Sequence, residues 1–106
     1  MENNNLNYSP QALIDLDEIW EYIYEELKNP TAAMSTVEGI MDAVDVLRQF
    51  PLSGAPVRFP GGLDSGYRHV LHGNYMAFYR LSGTDIYVDR VIYGKRDYMR
   101  NLFGDL

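Results

Sequence analysis

The fold is decided by residues 67–93, which read YRHVLHGNYMAFYRLSGTDIYVDRVIY. Tyrosine, valine, isoleucine and phenylalanine recur in this stretch with a period near two, which is typical of β-strands. The segments Gly73-Asn74 and Ser82-Gly83-Thr84 interrupt the pattern with residues that favour tight hairpin turns. We therefore predict a three-stranded antiparallel meander with strands at residues 67–72, 75–82 and 85–93.

Two amphipathic helices are predicted upstream of the meander. Ser9-Pro10 and Asn29-Pro30 each combine a side-chain N-cap with a proline at the first helical position. The first helix is expected at residues 10–28, with an apolar stripe of Leu13, Leu16, Trp20, Ile23 and Leu27, widened by Ile19 and Tyr24. The second helix runs towards Phe50-Pro51, with a stripe of Ala33, Val37, Ile40, Met41, Val44 and Leu47. The short link predicts an antiparallel hairpin that buries Trp20 in the core.

The remaining segments complete a single α+β domain. Residues 5–8 suggest a short first strand, residues 52–62 form a loop rich in proline and glycine, and residues 95–103 suit a short last helix. The predicted fold is an N-terminal helical hairpin packed on a small, mostly antiparallel sheet, βααβββ with a short C-terminal helix. One domain spans residues 1–106, and residues 1–5 are expected to be flexible.

Composition narrows the class of protein and reveals an uneven charge. The chain has no cysteine, which excludes disulfides and thiolate metal sites, and no signal peptide or membrane span is predicted, so we expect a cytoplasmic protein. Residues 1–52 hold two basic and ten acidic residues, a net charge of −8. Residues 53–106 hold seven basic and five acidic residues, a net charge of +2. This asymmetry indicates either two surfaces with different partners or helices with solvated acidic outer faces.

The sequence contains no strong catalytic or metal-binding motif. His69 and His72 lie three residues apart on a strand, so they should point to opposite faces and cannot act together. Glu18, Glu21 and Glu25 share one helix face, which is more typical of a solvated surface than of a metal site. We predict no metal and no cofactor.

The basic residues of the second half alternate with tyrosines, and this pattern favours binding. Arginine holds phosphates or carboxylates, and tyrosine stacks on bases or anchors protein interfaces. Arg80 and Arg90, in the middle of strands, are expected to be ordinary outward-facing residues with packed stems. The predicted target- or partner-binding residues are Arg68, Tyr93, Lys95, Arg96, Tyr98 and Arg100.

An ordered set of segments resembles the RelE/ParE toxin superfamily, especially its ParE or plasmid-stabilisation branch. Ser9-Pro10 followed by residues 15–23 (DLDEIWEYI) is similar to the opening of that branch. The set Leu47, Phe50-Pro51 and Gly54 resembles the segment that follows the second helix in that branch. The central hairpin of the branch is matched by Tyr67-Arg68, Gly73 to Tyr75 and Phe78-Tyr79-Arg80. Residues 90–98 (RVIYGKRDY) resemble its closing signature, so the likeness spans about residues 8–103.

The resemblance implies the toxin of a toxin–antitoxin pair, with a cognate antitoxin as partner. RelE-like members cut messenger RNA on the ribosome without metal, using basic residues, whereas ParE-like members inhibit DNA gyrase by binding it. If this chain were such a ribonuclease, the resemblance would assign Arg68, Arg96 and Tyr98 to catalysis. However, Met76 stands where those nucleases have an arginine, and Leu102 stands where they have a tyrosine.

These departures favour a gyrase inhibitor over a ribonuclease, because they remove charge stabilisation and a plausible general base. Two alternatives stay open at this point. One is a ribosome-dependent endoribonuclease, and the other is a non-toxic domain that binds its antitoxin or regulates its operon. The sequence also leaves open whether the free protein forms a homodimer.

Overall fold

The computed structural model describes residues 4–94 together with Leu102 and Phe103. Its elements are, in order, β1 (Asn5–Tyr8), α1 (Pro10–Leu27), α2 (Pro30–Asp45), a 3-10 turn (Val46–Arg48), β2 (Ala55–Arg58), β3 (Asp64–His72), β4 (Tyr75–Ser82) and β5 (Asp85–Tyr93). The strands form one sheet in the order β1-β5-β4-β3-β2, in which β1 is parallel to β5 and the other pairs are antiparallel. The predicted α+β fold, with a helical hairpin on a mostly antiparallel sheet, is confirmed.

Both helices begin as their caps predict. The Ser9 hydroxyl accepts a hydrogen bond from the Ala12 N–H, and Pro10 occupies the first turn, where a backbone donor would have no partner in the helix. The Asn29 side chain accepts from the N–H groups of Thr31 and Ala32 at the start of α2. Between the helices, Lys28 adopts a left-handed conformation (φ 49°), which lets the chain reverse within two residues.

The sheet is larger than the sequence indicates. The segment 52–62, expected to be a loop, contains strand β2, which pairs with β3 from Ala55↔His69 to Arg58↔Asp64. Strand β3 accordingly starts at Asp64, earlier than residue 67. The sequence APVR carries no alternating pattern and includes Pro56, which a strand tolerates only at a sheet edge. That loop prediction is wrong, because pairing with β3 rather than local propensity makes this segment a strand.

The main core lies between the helical hairpin and the sheet. Its buried members from the helices and the 3-10 turn are Ala12, Leu16, Ile19, Ile40, Val44 and Leu47, and those from the sheet are Ala77, Tyr79, Ile86, Val88 and Val91. From the predicted stripe of α2, Ile40, Val44 and Leu47 belong to this core and Val37 packs against it. Ala33 is buried but is not one of its members, and Met41 is exposed.

The buried face of α1 is rotated relative to the predicted stripe. Leu13 and Leu27 are exposed, while Ala12 and Asp15 are buried. Trp20 is only half-buried and stacks on Tyr24, with ring centroids 5.3 Å apart. The expectation that Trp20 belongs to the core is therefore wrong, and the physical reason is the position of Asp15, described below.

A second apolar cluster covers the other face of the sheet. Val57, Met76, Phe78 and Ile92 are buried there, with Tyr67, Leu102 and Phe103 packed against them. The Phe103 ring lies 4.8 Å from the Phe59 ring and 5.7 Å from the Tyr67 ring. Leu102 and Phe103 are helical, in agreement with the expected last helix, whereas its other residues lie outside the described part of the chain.

The N-terminal strand joins the sheet by parallel pairing with β5. The Asn5 N–H donates to the Thr84 carbonyl, and the Asn4 N–H donates to the Arg48 carbonyl. Two of the residues 1–5, which were expected to be flexible, are therefore hydrogen bonded. Within the described residues, the helices are too short or too polar to span a bilayer.

The loop after α2 is held by the hydroxyl of Tyr79. This fully buried phenol donates to the Pro51 carbonyl at 2.7 Å and accepts from the Gly54 N–H at 3.1 Å. A Cβ atom at Gly54 would collide with the Tyr79 ring and hydroxyl. Glycine is therefore required at position 54 for this close approach.

Removing the Tyr79 hydroxyl should destabilise the fold. Tyr79→Phe leaves the Pro51 carbonyl and the Gly54 N–H without this partner, which should lower the free energy of unfolding by about 1–3 kcal/mol in urea titrations. Tyr93→Phe, at an exposed tyrosine, is the matched control and should change it by less than about 0.5 kcal/mol. Equal stability of the two variants would show that the phenol does not hold the loop.

Tyr8, whose hydroxyl group is buried, makes stability depend on alkaline pH. Burial, and then the Asp45 carboxylate, raises the pKa of Tyr8 from 10.0 to about 12. Because the unfolded chain ionises first, Tyr8 contributes stability below pH 10 that is lost as the pH rises towards 12. Tyr8→Phe should therefore show a shallower fall of the free energy of unfolding between pH 10 and 12 than the wild type. Tyr22→Phe controls for the loss of one exposed phenol, and identical slopes for Tyr8→Phe and wild type would contradict this assignment.

Candidate functional site

The predicted binding surface begins at the end of β5. Tyr93 is the last residue of that strand and is 51% exposed, and its ring lies edge-on to Tyr75 at 5.3 Å. Gly94 follows in a left-handed conformation (φ 69°), and its N–H donates to the Asn74 carbonyl of the adjacent turn. Lys95, Arg96, Tyr98 and Arg100 lie outside the described residues, so their roles stay predictions. The structure places Tyr93 as an exposed aromatic at the end of β5.

Arg68 has a different environment from the one that the sequence suggests. Its guanidinium donates to the Gly54 carbonyl at 2.7 Å and to the Leu52 carbonyl at 3.3 Å. In the sheet Arg68 is opposite Tyr79, whereas Tyr93 is opposite Tyr75, four residues earlier on β4. Strand β4 lies between them, and the register also separates them by roughly 13 Å along the strand direction. Arg68 therefore helps to hold the loop after α2 and does not adjoin Tyr93.

A buried carboxylate, which the sequence reasoning missed, connects α1 to β5. Asp15 is 5% exposed, and its oxygens accept from Arg90 Nε at 2.8 Å, from Arg90 at a second nitrogen at 3.2 Å, and from the Val91 N–H at 2.9 Å. Gln11 donates to the same carboxylate at 3.0 Å. The hydrogen bonds and charge of Asp15 raise the pKa of Arg90, against the opposing effect of its burial. A carboxylate on the apolar side of α1, next to Leu16 and Ile19, was the signal that could have revealed this clamp.

Strand β1 ends where the Asp15 clamp begins. The last pair of β1 with β5 is Tyr8↔Val88, and the Ser9 N–H donates to the Val88 carbonyl. Among the described residues, no strand flanks β5 on this side beyond that point, and Asp15 accepts from the Val91 N–H instead. The clamp therefore satisfies a backbone donor at an open sheet edge, in addition to pairing Arg90.

A second polar network lies at the irregularity between β4 and β5. The register shifts at Phe78/Tyr79, so that Asp89 has no cross-strand partner on β4. Its carboxylate accepts from the Tyr67 hydroxyl at 2.7 Å and from Arg80 Nε at 3.0 Å. The Arg80 guanidinium also lies over the Tyr87 ring, 4.6 Å from its centroid. Arg80 and Arg90 are thus each paired with a carboxylate, which leaves less of their charge for binding an anion.

The Asp89 network raises the pKa of both side chains that donate hydrogen bonds to it. Burial, followed by the hydrogen bond to Asp89, raises the pKa of Tyr67. The hydrogen bond to Asp89 raises the pKa of Arg80. Both donors therefore hold their protons more firmly than usual, which suits a structural network better than proton transfer near neutral pH.

The two histidines lie on opposite faces of β3. The His72 imidazole lies against α2, where a Cβ atom at Gly39 would collide with it. The His69 ring lies 6.0 Å from Phe78, a member of the outer cluster, and burial lowers its pKa. The structure does not bring these histidines together. In the described part of the chain, no three acidic or histidine side chains converge as a metal site would require.

The architecture defines a class of small α+β domains in which a helical hairpin covers one face of a sheet. The sequence family described as "ParE toxin of type II toxin-antitoxin system, parDE" matches residues 6–98. The chain therefore belongs to the ParE toxin family of type II toxin–antitoxin systems, within the RelE/ParE superfamily. No curated protein matches the chain.

Solved structures share this fold. A chain of the chromosomal ParDE TA system from P. aeruginosa is 26% identical, with a TM-score of 0.71, over 87% of this chain and 97% of that one. A chain of the RelBE2 toxin-antitoxin complex from Mycobacterium tuberculosis is 22% identical, with a TM-score of 0.58, over 86% of this chain and 98% of that one. The resemblance stated from the sequence is confirmed by the family match, and the second likeness shows the common fold alone.

Breaking the Asp15 clamp should strongly destabilise the protein. Asp15→Asn removes the charge that pairs with Arg90 and should lower the free energy of unfolding by about 3 kcal/mol, since part of the Arg90 side chain remains solvated. Asp17→Asn, at an exposed position two residues away, is the control and should change it by less than about 0.5 kcal/mol. Urea titration of both variants measures the difference, and a small loss for Asp15→Asn would show that the clamp contributes little.

Proposed function

We propose that this ParE-family toxin arrests growth by binding DNA gyrase and does not cut RNA. The observation that carries the proposal concerns Met76 and Leu102, the positions where the resemblance to RelE-like nucleases calls for an arginine and a tyrosine. Met76 is only 6% exposed, and Leu102 packs against the same outer cluster. Apolar side chains that are committed to a packed cluster can neither stabilise charge on a phosphate nor accept a proton.

The contacts of three arginines of the sheet support the same proposal. Arg80 donates a hydrogen bond to Asp89, and Arg90 donates to Asp15. Arg68 donates to backbone carbonyls. A nuclease that works without metal needs cations directed at the scissile phosphate. Tyr93 is an exposed aromatic residue, and exposed tyrosines commonly anchor protein interfaces. Binding residues for the target would be Tyr93 together with Lys95, Arg96, Tyr98 and Arg100.

The likeness to a ParDE system supports a cognate antitoxin as the second partner of this chain. We place the protein in the cytoplasm, where gyrase acts and where the antitoxin would be made beside it.

A gyrase supercoiling assay tests the proposal. The purified chain should inhibit supercoiling of relaxed plasmid, and Tyr93→Ala should weaken that inhibition about tenfold or more, as loss of an interface anchor does. Arg48→Ala, at an exposed arginine of the 3-10 turn, is the control and should inhibit like the wild type. Thermal melting of each variant should be close to wild type, since neither position is buried.

The rival activities give different results in parallel experiments. Codon-linked cuts in translated messages, detected by primer extension and abolished by Arg96→Ala, together with unaffected gyrase, would establish a ribonuclease. Expression without slower growth, and with no effect on either target, would establish a domain that only binds its antitoxin.

A further inference from the structure

Three tyrosines from three elements meet at one end of the domain. Tyr75 begins β4 and Tyr93 ends β5, and the two residues pair across the sheet with ring centroids 5.3 Å apart. The third, Tyr22, belongs to α1. Tyr93 is 51% exposed and Tyr22 is 61% exposed, whereas Tyr75 packs in part against the main core. The core therefore uses little of the two outer rings.

Helix α1 runs beside β5 in the direction of Tyr93. At the start of the helix, the Ser9 hydroxyl donates to the Asp89 carbonyl. Further along it, Asp15 accepts from the Val91 N–H. The helix therefore advances along β5 as that strand approaches its last residue.

Tyr22 lies on the same side of α1 as Asp15. Seven residues turn an α-helix by about 20° less than two full turns and advance it by about 10.5 Å. Tyr22 is thus directed at the end of β5, beyond the point that Asp15 contacts. The pKa of Tyr75 agrees with this placement, because burial raises it first and the nearby Tyr93 and Tyr22 phenols raise it further.

Two exposed carboxylates flank Tyr22 on α1. Glu18 is four residues before it and Glu26 is four residues after it, so the three side chains form one row on the helix. The charge of Glu18 contributes to the raised pKa of Arg90, which places Glu18 beside β5. Phenol faces and carboxylates both attract cations, so this end of the domain combines two features that favour a positively charged ligand.

The described cations closest to this row already have carboxylate partners. Arg90 pairs with Asp15 at 2.8 Å, and Lys28 pairs with Glu25 at 3.0 Å. Their positive charges are therefore largely balanced by these acids. Within the described residues, this side of α1 keeps a surplus of negative charge next to the exposed phenols.

We propose that Tyr22, Tyr75, Tyr93, Glu18 and Glu26 form one site, here called the tyrosine site, that binds an arginine side chain of the target protein. A guanidinium suits it better than an ammonium, because its flat face stacks on a phenol ring while its N–H groups donate to a carboxylate in pairs. A phosphate is a poor occupant, because the carboxylates repel it. The inference rests on the proposed function in taking gyrase as the target, and it adds the chemistry of the group that the target contributes.

An NMR titration with N-acetyl-arginine amide tests the site in the absence of the target. The backbone amide signals of Tyr22, Tyr75 and Tyr93 in the full chain should shift saturably, and binding should weaken as salt is added. N-acetyl-citrulline amide has nearly the same shape but no charge, and it should bind at least about tenfold more weakly. Equal shifts with the two compounds, or no shift with either, would overturn the proposal.

Substitutions on α1 locate the bound arginine. Tyr22→Ala should weaken its binding about tenfold, and Glu26→Gln about threefold. Tyr24→Ala and Glu21→Gln are the matched controls, because both residues are exposed on the same helix but lie about 200° and 100° around it from Tyr22. The controls should bind like the wild type, and far-UV circular dichroism checks that each variant is folded. Losses as large in the controls would contradict the site.

The supercoiling assay connects the tyrosine site to gyrase. Tyr22→Ala should weaken inhibition about tenfold, and Tyr24→Ala should inhibit like the wild type. If the wild type inhibits gyrase and Tyr22→Ala inhibits it equally well, the inference is overturned while the proposed function stands. If arginine binds the tyrosine site but the wild type leaves gyrase unaffected, the proposed function is overturned, together with gyrase as the source of the arginine, while the site itself stands.

Discussion

The Asp15 carboxylate sets the rotation of α1 on the sheet. It accepts from both the Arg90 guanidinium and the Val91 N–H, so it must lie against the edge of β5. Because a buried carboxylate is stable only with such partners, this requirement outweighs the preference of any single apolar residue on the helix. Ala12, Leu16 and Ile19 then face the core, and Leu13 and Leu27 face away from it. The orientation of α1 that the Asp15 contacts set therefore determines which of its side chains face the solvent.

The two faces of the sheet are both covered, but in different ways. The helical hairpin closes one face over the main core, and Leu102 and Phe103 cover part of the other over Met76 and Phe78. Met76 is buried in that second cluster and Leu102 packs against it, so this part of the second face is apolar. The fold alone does not decide which activity such a sheet face serves.

The first half of the chain is acidic and the second half is slightly basic, and in the structure these halves form different sides of the molecule. The described acids of the first half lie on exposed positions of the two helices, except Asp15, which is buried and pairs with Arg90 of the sheet. The arginines of the sheet are largely committed to internal partners, so the formal charge of +2 in the second half overstates the positive surface of its described residues. An acidic helical side and a sheet end bearing an exposed tyrosine offer two chemically distinct surfaces to partners.

The sequence by itself determined the helix starts, the three-stranded meander and the family, because caps, turns and alternation act over a few residues and leave local patterns. It placed most of the α2 core correctly, since that stripe contains no competing polar group. Tertiary structure alone decided that residues 55–58 are a strand, that Trp20 lies outside the core, and that Arg68 holds a loop. Each of these depends on a partner distant in sequence: β3 for the strand, the Arg90–Val91 edge for α1, and the carbonyls of Leu52 and Gly54 for the arginine. Such long-range pairings satisfy buried polar groups that no local pattern reveals.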